Sequence, residues 1–382
     1  MKKEIYLDHA ATTQMWPQVR EAMEPYLAER FGNASTAYDI GKEAKTALEE
    51  AREVIADCIN AEPEEIFFTS GGSESDNWAI KSIAGEYKYL GRHIITSGIE
   101  HHAVLNSCAY METLGYDVTY LSVDKNGIVD VAELKKCITP YTTLITVMYG
   151  NNEIGTMEPI TEIGQIARRE GIVFHTDAVQ AVGQIPISVK SLPIDCMSAS
   201  GHKFHGPKGI GFLYVRKDLE IPSFIHGGGQ EQGKRAGTEN VASIVGMAKA
   251  LEIADRNCFK NMQRTKMLRE YLVSRVMREC EDVIYNGHPK RRLPGNASFS
   301  FAGVDATALL VLLEESGICA AAGSACNTGE TRISHVIRAI HVPKEYAAGT
   351  IRFSLGAENT KEEIDRAVEA LKESLKLLRG IE

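Results

Sequence analysis

The 382-residue chain holds eight cysteines but no C-x-x-C pair, which removes the ligand spacing of a zinc ribbon and the thioredoxin redox motif. No stretch reaches the length and apolarity of a membrane span. Lys2 and Lys3 are followed by no apolar run, so no signal-peptide core is expected. Positive charge is scarce: 42 Lys+Arg stand against 51 Asp+Glu, a formal net charge of -9 that argues against gripping a nucleic-acid backbone. With only 12 prolines, 33 glycines and 44% hydrophobic residues, neither a collagen-like nor a disordered chain is indicated. What remains is a globular protein of about two or three domains, able to bury its core without disulfides and suited to the reducing cytoplasm.

The apolar positions Ala44, Ala47, Leu48, Ala51, Val54, Ile55 and Cys58 recur at helical spacing, and Asn60 can end that helix. Ile66–Thr69 reads as a strand, Ser70-Gly71-Gly72-Ser73-Glu74 as a glycine loop, and Asn77–Leu90 as a second helix. Further strands over Ile94–Ser97, Tyr116–Leu121, Thr143–Tyr149 and Ile172–Thr176 alternate with helical stretches through Leu105 and Met111 and over Ile160–Glu170. This order predicts an α/β fold, a mostly parallel sheet covered by helices on both faces. Asp195–Ser198 and Gly209–Val215 read as two more strands. From Thr238 the pattern changes to a long helical tract, Val241 to about Glu281. Strands over Pro294–Phe301 and Ile351–Leu355 and a final helix, Lys361–Leu378, then make a smaller α+β unit beyond a boundary near residue 256. The ligand of such a sheet lies outside the carboxyl ends of its strands.

Several residues fall there. Ser70-Gly71-Gly72-Ser73 is either a phosphate cradle at a helix N-terminus or a plain glycine turn, and it lacks both the Walker and the dinucleotide patterns. Gly206-Pro207-Lys208-Gly209 fails as a Walker loop for want of a following Ser or Thr. Asp177, at a strand end, is a crevice carboxylate or a helix cap, with Gln180 one turn beyond. Lys203, in Ser200-Gly201-His202-Lys203, is a Schiff-base nucleophile or a solvated lysine. His101 is catalytic or a hydrogen-bonded crevice histidine. His202 and His205 raise the question of a metal, but no carboxylate or cysteine stands nearby in sequence and none is expected. Cys326, in Gly323-Ser324-Ala325-Cys326-Asn327-Thr328-Gly329, is flanked by small and polar residues, which predicts an exposed loop and a nucleophilic thiol. On a strand over Thr350–Leu355, Arg352 and Ser354 share one face, where the guanidinium can clamp a carboxylate.

A phosphate cradle, a strand-end Asp, a post-strand lysine, a histidine and an arginine are what a pyridoxal-phosphate site requires. Together with Tyr6-Leu7-Asp8-His9-Ala10-Ala11-Thr12-Thr13, Asn151-Asn152-Glu153-Ile154-Gly155, His175-Thr176-Asp177-Ala178, Gly201-His202-Lys203, Arg235-Ala236-Gly237-Thr238 and Gly323-Ser324-Ala325-Cys326, they make the chain resemble the cysteine desulfurases of the iron-sulfur-cluster and nitrogen-fixation branch. The resemblance implies PLP fold type I, aspartate aminotransferase-like. A large domain with a seven-stranded sheet would cover residues 14–256. A small domain of residues 1–13 and 257–382 would carry a mobile cysteine loop near 320–331.

It also implies pyridoxal 5'-phosphate held covalently by Lys203, with Asp177 on the ring nitrogen, Gln180 on the ring hydroxyl and His101 against the ring. Gly72, Ser73, Ser200 and His202 would hold the phosphate, with Thr238 reaching in from a second subunit of a homodimer. Asn152 and Arg352 would grip the carboxylate of L-cysteine, and Cys326 would take its sulfur as a persulfide, leaving L-alanine. An iron-sulfur scaffold or another acceptor, as in tRNA thiolation, would receive the sulfur; a selenocysteine lyase, or another lyase or aminotransferase on the same fold, is the alternative. The branch usually has His at Tyr38, Ser at Ala236 and Ser-Ser at Ala321-Ala322, departures that remove none of these roles. The chain ends soon after its last helix, without the tail by which housekeeping members help hold the scaffold, so a dedicated pathway is an open destination.

Overall fold

The computed structural model describes residues 4–323 and 333–380. After β1 (Ile5–Tyr6), α1 (Pro17–Leu27) and α2 (Asp39–Ile59), strands and helices largely alternate: β2 (Ile66–Thr69), α3 (Gly72–Glu86), β3 (His93–Ser97), α4 (His102–Thr113), β4 (Asp117–Leu121), α5 (Val131–Cys137), β5 (Thr142–Thr146), α6 (Ile160–Glu170), β6 (Val173–Asp177), β7 (Cys196–Ser200) and β8 (Gly211–Val215). Strands β2 to β8 form one seven-stranded sheet in the order β2-β8-β7-β6-β5-β3-β4, in which only β8 runs against the rest. Every residue of β2, β3, β5, β6, β7 and β8 is buried, as a sheet covered on both faces demands. Helix α2 buries the stripe read from the sequence. It stops where Asn60 turns left-handed (φ 54°) and returns its N–H to the carbonyls of Ala56 and Asp57.

The helical tract beyond Thr238 is two helices, α7 (Val241–Arg256) and α8 (Cys258–Glu279), because Asn257 interrupts it and turns its own side-chain amide onto the Ile253 carbonyl at 2.8 Å. There follow β9 (Val283–Asn286), β10 (Asn296–Phe301), α9 (Ala306–Glu315), β11 (Ile318–Cys319), β12 (Ala321–Ala322), α10 (His335–Ala339), α11 (Lys344–Ala347), β13 (Thr350–Ser354) and α12 (Lys361–Arg379). A four-stranded antiparallel sheet, β12-β13-β10-β9, is backed by a core that includes Phe299, Phe301, Phe353, Val368 and Leu371. Truncating one of those phenylalanines to Ala would cost about 3–5 kcal/mol. Ile5 and Leu7 belong to this second core, since β1 pairs with β11. Val336, Ile337, Ile340 and Ala347 instead belong to the core of the seven-stranded sheet, the one that holds Ile154 and Phe174. No helix of the described residues is long and apolar enough to cross a membrane.

Candidate active site

The polar residues named from the sequence converge where β2, β6 and β7 end. Between β2 and α3, Gly71 takes φ 149°, and a Cβ on Gly72 would lie 2.4 Å from Val179 Cγ2, so this junction needs glycine to let the backbones approach. Helix α3 begins at Gly72, five residues ahead of the sequence expectation, and thereby places Gly72 and Ser73 in its first turn. Ser200 ends β7 close to Gly71: a Cβ on Gly71 would stand 3.7 Å from Ser200 Oγ. His202 meets Thr12 Oγ1 through Nδ1 at 3.1 Å. Glycine backbone, hydroxyls and the positive end of a helix form a surface complementary to a phosphate.

Asp177 is the last residue of β6 and is buried; its Oδ1 accepts the Val179 N–H at 2.9 Å. Burial raises its pKa, opposed by that hydrogen bond and by the charges of His101 and Lys203. His101 caps α4, its Nδ1 accepting the Ala103 N–H at 3.1 Å, and burial lowers its pKa. Lys203 follows β7 and donates from Nζ to the carbonyls of Ala10 and Ala11, 2.7 Å each. Burial and the Arg352 cation bring Lys203 down to about 8, against the pull of Asp177 and Asp8. Gln180 donates to the Ala10 carbonyl at 3.0 Å. Behind Asp177, His175 is bonded at one ring nitrogen to Thr146 (2.8 Å) and at the other to Ser198 (3.0 Å), and burial takes its pKa to about 3, so it is neutral.

Arg352 and Ser354 share one face of β13, as the alternation predicts. Ser354 Oγ accepts the Ala10 N–H at 2.8 Å, while Arg352 Nη2 donates to Asp8 Oδ1 at 2.6 Å and Nη1 to the Asn152 carbonyl at 3.0 Å. Asn152 therefore touches the guanidinium through its backbone. Thr238 is exposed on the single chain, and Cys326 with residues 324–332 lies outside the described residues.

Sequence reasoning assigned no role to three carboxyl groups of this site. Glu153 Oε2 is buried without a hydrogen-bond partner among the described residues, and burial pushes the group up to about 7, against the pull of Ser334 and Arg352. Asp76 and Glu100 are fully buried and held well above the usual carboxylate range by burial, with Asp177 adding to both. The Ala10 and Ala11 carbonyls were hidden for a different reason, since a backbone acceptor leaves no mark in composition; only the run Tyr6–Thr13 could have pointed to them.

The donor set fits pyridoxal phosphate: an amine between two carbonyls, a carboxylate at a strand end, an imidazole and a guanidinium near enough to act on one another's charge, and a glycine-hydroxyl cradle. Residues 5–367 match the family model described as aminotransferase class-V. The chain is 50% identical over 381 residues to the cysteine desulfurase IscS of Dictyoglomus turgidum, covering 100% of this chain and 97% of that one. It is 49% identical to the cysteine desulfurase IscS of Methanosarcina thermophila, covering 99% and 94%. Among solved structures, a NifS-like protein superposes with a TM-score of 0.93 at 38% identity, over 98% of this chain and 100% of that one.

Proposed function

The chain belongs to the class-V aminotransferase family, among its pyridoxal 5'-phosphate-dependent cysteine desulfurases, and on that premise we propose how its own residues carry the sulfur of L-cysteine to Cys326 and leave L-alanine. When bound, the cofactor supplies an aldehyde that joins amines and a cationic ring that draws electrons from the substrate Cα. Gly72 and Ser73 backbone N–H groups, Ser200 and His202 would hold its phosphate, Asp177 its ring nitrogen and Gln180 its ring hydroxyl, with His101 against the ring. Lys203 Nζ would carry the covalent link to it and, when free, would move the proton at the substrate Cα.

Arg352 and Asn152 hold the substrate carboxylate, for which Arg352 exchanges its pairing with Asp8. For His101 to accept the proton of the substrate thiol, its Nδ1 must first release the Ala103 N–H. The Cys326 thiolate then forms the S–S bond as the substrate C–S bond breaks, the electron pair stays with the carbon side, and Cβ is protonated. Thiol and L-cysteine enter; persulfide and L-alanine leave, in balance. A homodimer in the cytoplasm, with Thr238 of each subunit completing the other's phosphate site, and an iron-sulfur scaffold or other protein acceptor complete the reading. Nucleic acid and membrane have no direct part, and selenocysteine lyase is the less favoured activity.

The observation that carries this is the Lys203 amine held by the Ala10 and Ala11 carbonyls within reach of the charges of Asp177 and Arg352. Its test is anaerobic incubation with L-cysteine and a thiol reductant, quantifying alanine and sulfide. Equal yields from wild type and loss of sulfide in Cys326→Ala are expected; sulfide from the variant at the wild-type rate would remove Cys326 from the reaction.

A further inference from the structure

Two residues past Lys203, His205 takes φ 66°, a left-handed conformation that residues with a Cβ rarely adopt. The turn returns its imidazole to the N-terminal crossing. The His205 N–H donates to Thr13 Oγ1 at 2.7 Å, the ring stacks on Trp16 with centroids 4.1 Å apart, and Nδ1 meets the Gln14 carbonyl at 2.8 Å. A carbonyl only accepts, so Nδ1 carries the proton and Nε2 keeps its lone pair. Nε2 faces Glu358 Oε1 across 3.7 Å. His9 stands beside them, ring centroid 6.1 Å from that of His205, its ring close to the Tyr6 backbone and its Nδ1 buried with no well-aligned hydrogen bond among the described residues. One ligand atom from each of His9, His205 and Glu358 lies within 4.8 Å of the others.

We propose that His9, His205 and Glu358 form a binding site for a divalent transition-metal ion of the zinc class, tying the N-terminal crossing to the Lys203 turn and to the loop after β13. Two imidazoles and a carboxylate suit zinc, cobalt, nickel or ferrous iron over magnesium or calcium. The His205 ring is oriented as ligating histidines are, its far nitrogen fixed by a backbone carbonyl. With metal–ligand bonds of ~2.1 Å the set must draw in slightly, and Glu358, 47% exposed at its side chain, is the member free to do so. Gly356 makes room: a Cβ there would stand 2.5 Å from His9 Cε1 and 2.6 Å from Glu358 Oε2. A plain His205–Glu358 ion pair would use two of the three groups, whereas an ion uses all three. Sequence could not have found the set, since Glu358 lies more than 150 positions beyond His205 and His9 nearly 200 before it. Because Ala10 and Ala11 hold Lys203, the ion would also fix the segment on which the lysine rests. The site stands whether or not the sulfur chemistry above is correct.

The test uses holoenzyme carrying Cys326→Ala, stripped with a chelator and kept free of L-cysteine, which itself binds metal. Titration with Co2+ is followed by its visible d–d bands, then by displacement with Zn2+, alongside thermal melting with and without Zn2+. One equivalent per chain is expected, with nitrogen/oxygen rather than thiolate spectral character and a Zn2+-dependent rise in Tm. Glu358→Gln, at an exposed position that leaves folding intact, and His9→Gln should each weaken binding at least about tenfold. Absence of the bands and of the Tm rise, thiolate-type bands, or equal affinity in both variants would overturn the proposal.

Discussion

At the cofactor end of the cleft, Gly72, Ser73, Asp177, Ser200 and His202 all sit at or just past the ends of strands in a single sheet. At the carboxylate end, Asp8, Asn152 and Arg352 come from three separate segments, and Asp8 meets Arg352 across 344 residues of chain. The first set is placed by local strand–helix junctions and is held by backbone geometry. The second exists only once both cores have formed, and its guanidinium is already engaged by Asp8 and by a carbonyl. On the proposed function, the first set receives the cofactor as already built, while the second would exchange the Asp8 carboxylate for that of the substrate.

Substitutions at the two ends should therefore fail differently. Lys203→Ala would remove both the proposed cofactor link and the proposed mover of the Cα proton, so alanine formation should fall by at least about 10^3-fold, beyond rescue by added cysteine. Arg352→Ala should raise KM for cysteine roughly 100-fold while the bound cofactor and its spectrum stay as in wild type. Loss of the cofactor spectrum in that variant would erase the comparison.

Glu153 sharpens it on the stability side. Its folded pKa, about 7, lies above the ordinary 4.5, so the folded state gains from the bound proton below 4.5 and loses that gain as pH rises through about 7. Glu153→Gln mimics the neutral acid and should melt a few degrees above wild type at pH 8, with the gap shrinking toward pH 5. A gap that widens on acidification would contradict the burial argument. The smallest effect belongs to Ser73→Ala. It keeps the backbone cradle and should weaken cofactor binding only a few-fold, as measured by equilibrium dialysis.

The same contrast governs what could be read from sequence. Helix α2 with its Asn60 cap, the alternation of β2 to β6 with helices, and the shared face of Arg352 and Ser354 follow from periodicity and local chemistry, and all are found in the structure. Asn257 was missed because one residue that recaptures its own helix carbonyl barely disturbs a helical pattern. Thr143–Tyr149 reads as one strand; β5 ends at Thr146, though the Val147 and Tyr149 N–H groups still donate to the His175 and Asp177 carbonyls of β6. Asp8 against Arg352, and the carbonyls under Lys203, are long-range pairings that no local spacing announces.

The most direct test of the account is to reduce the purified holoenzyme with borohydride, digest it, and locate the pyridoxyl group by mass spectrometry. A single modified residue, Lys203, is expected. A pyridoxyl group on any other lysine, or none on a protein that carries the cofactor, would contradict it.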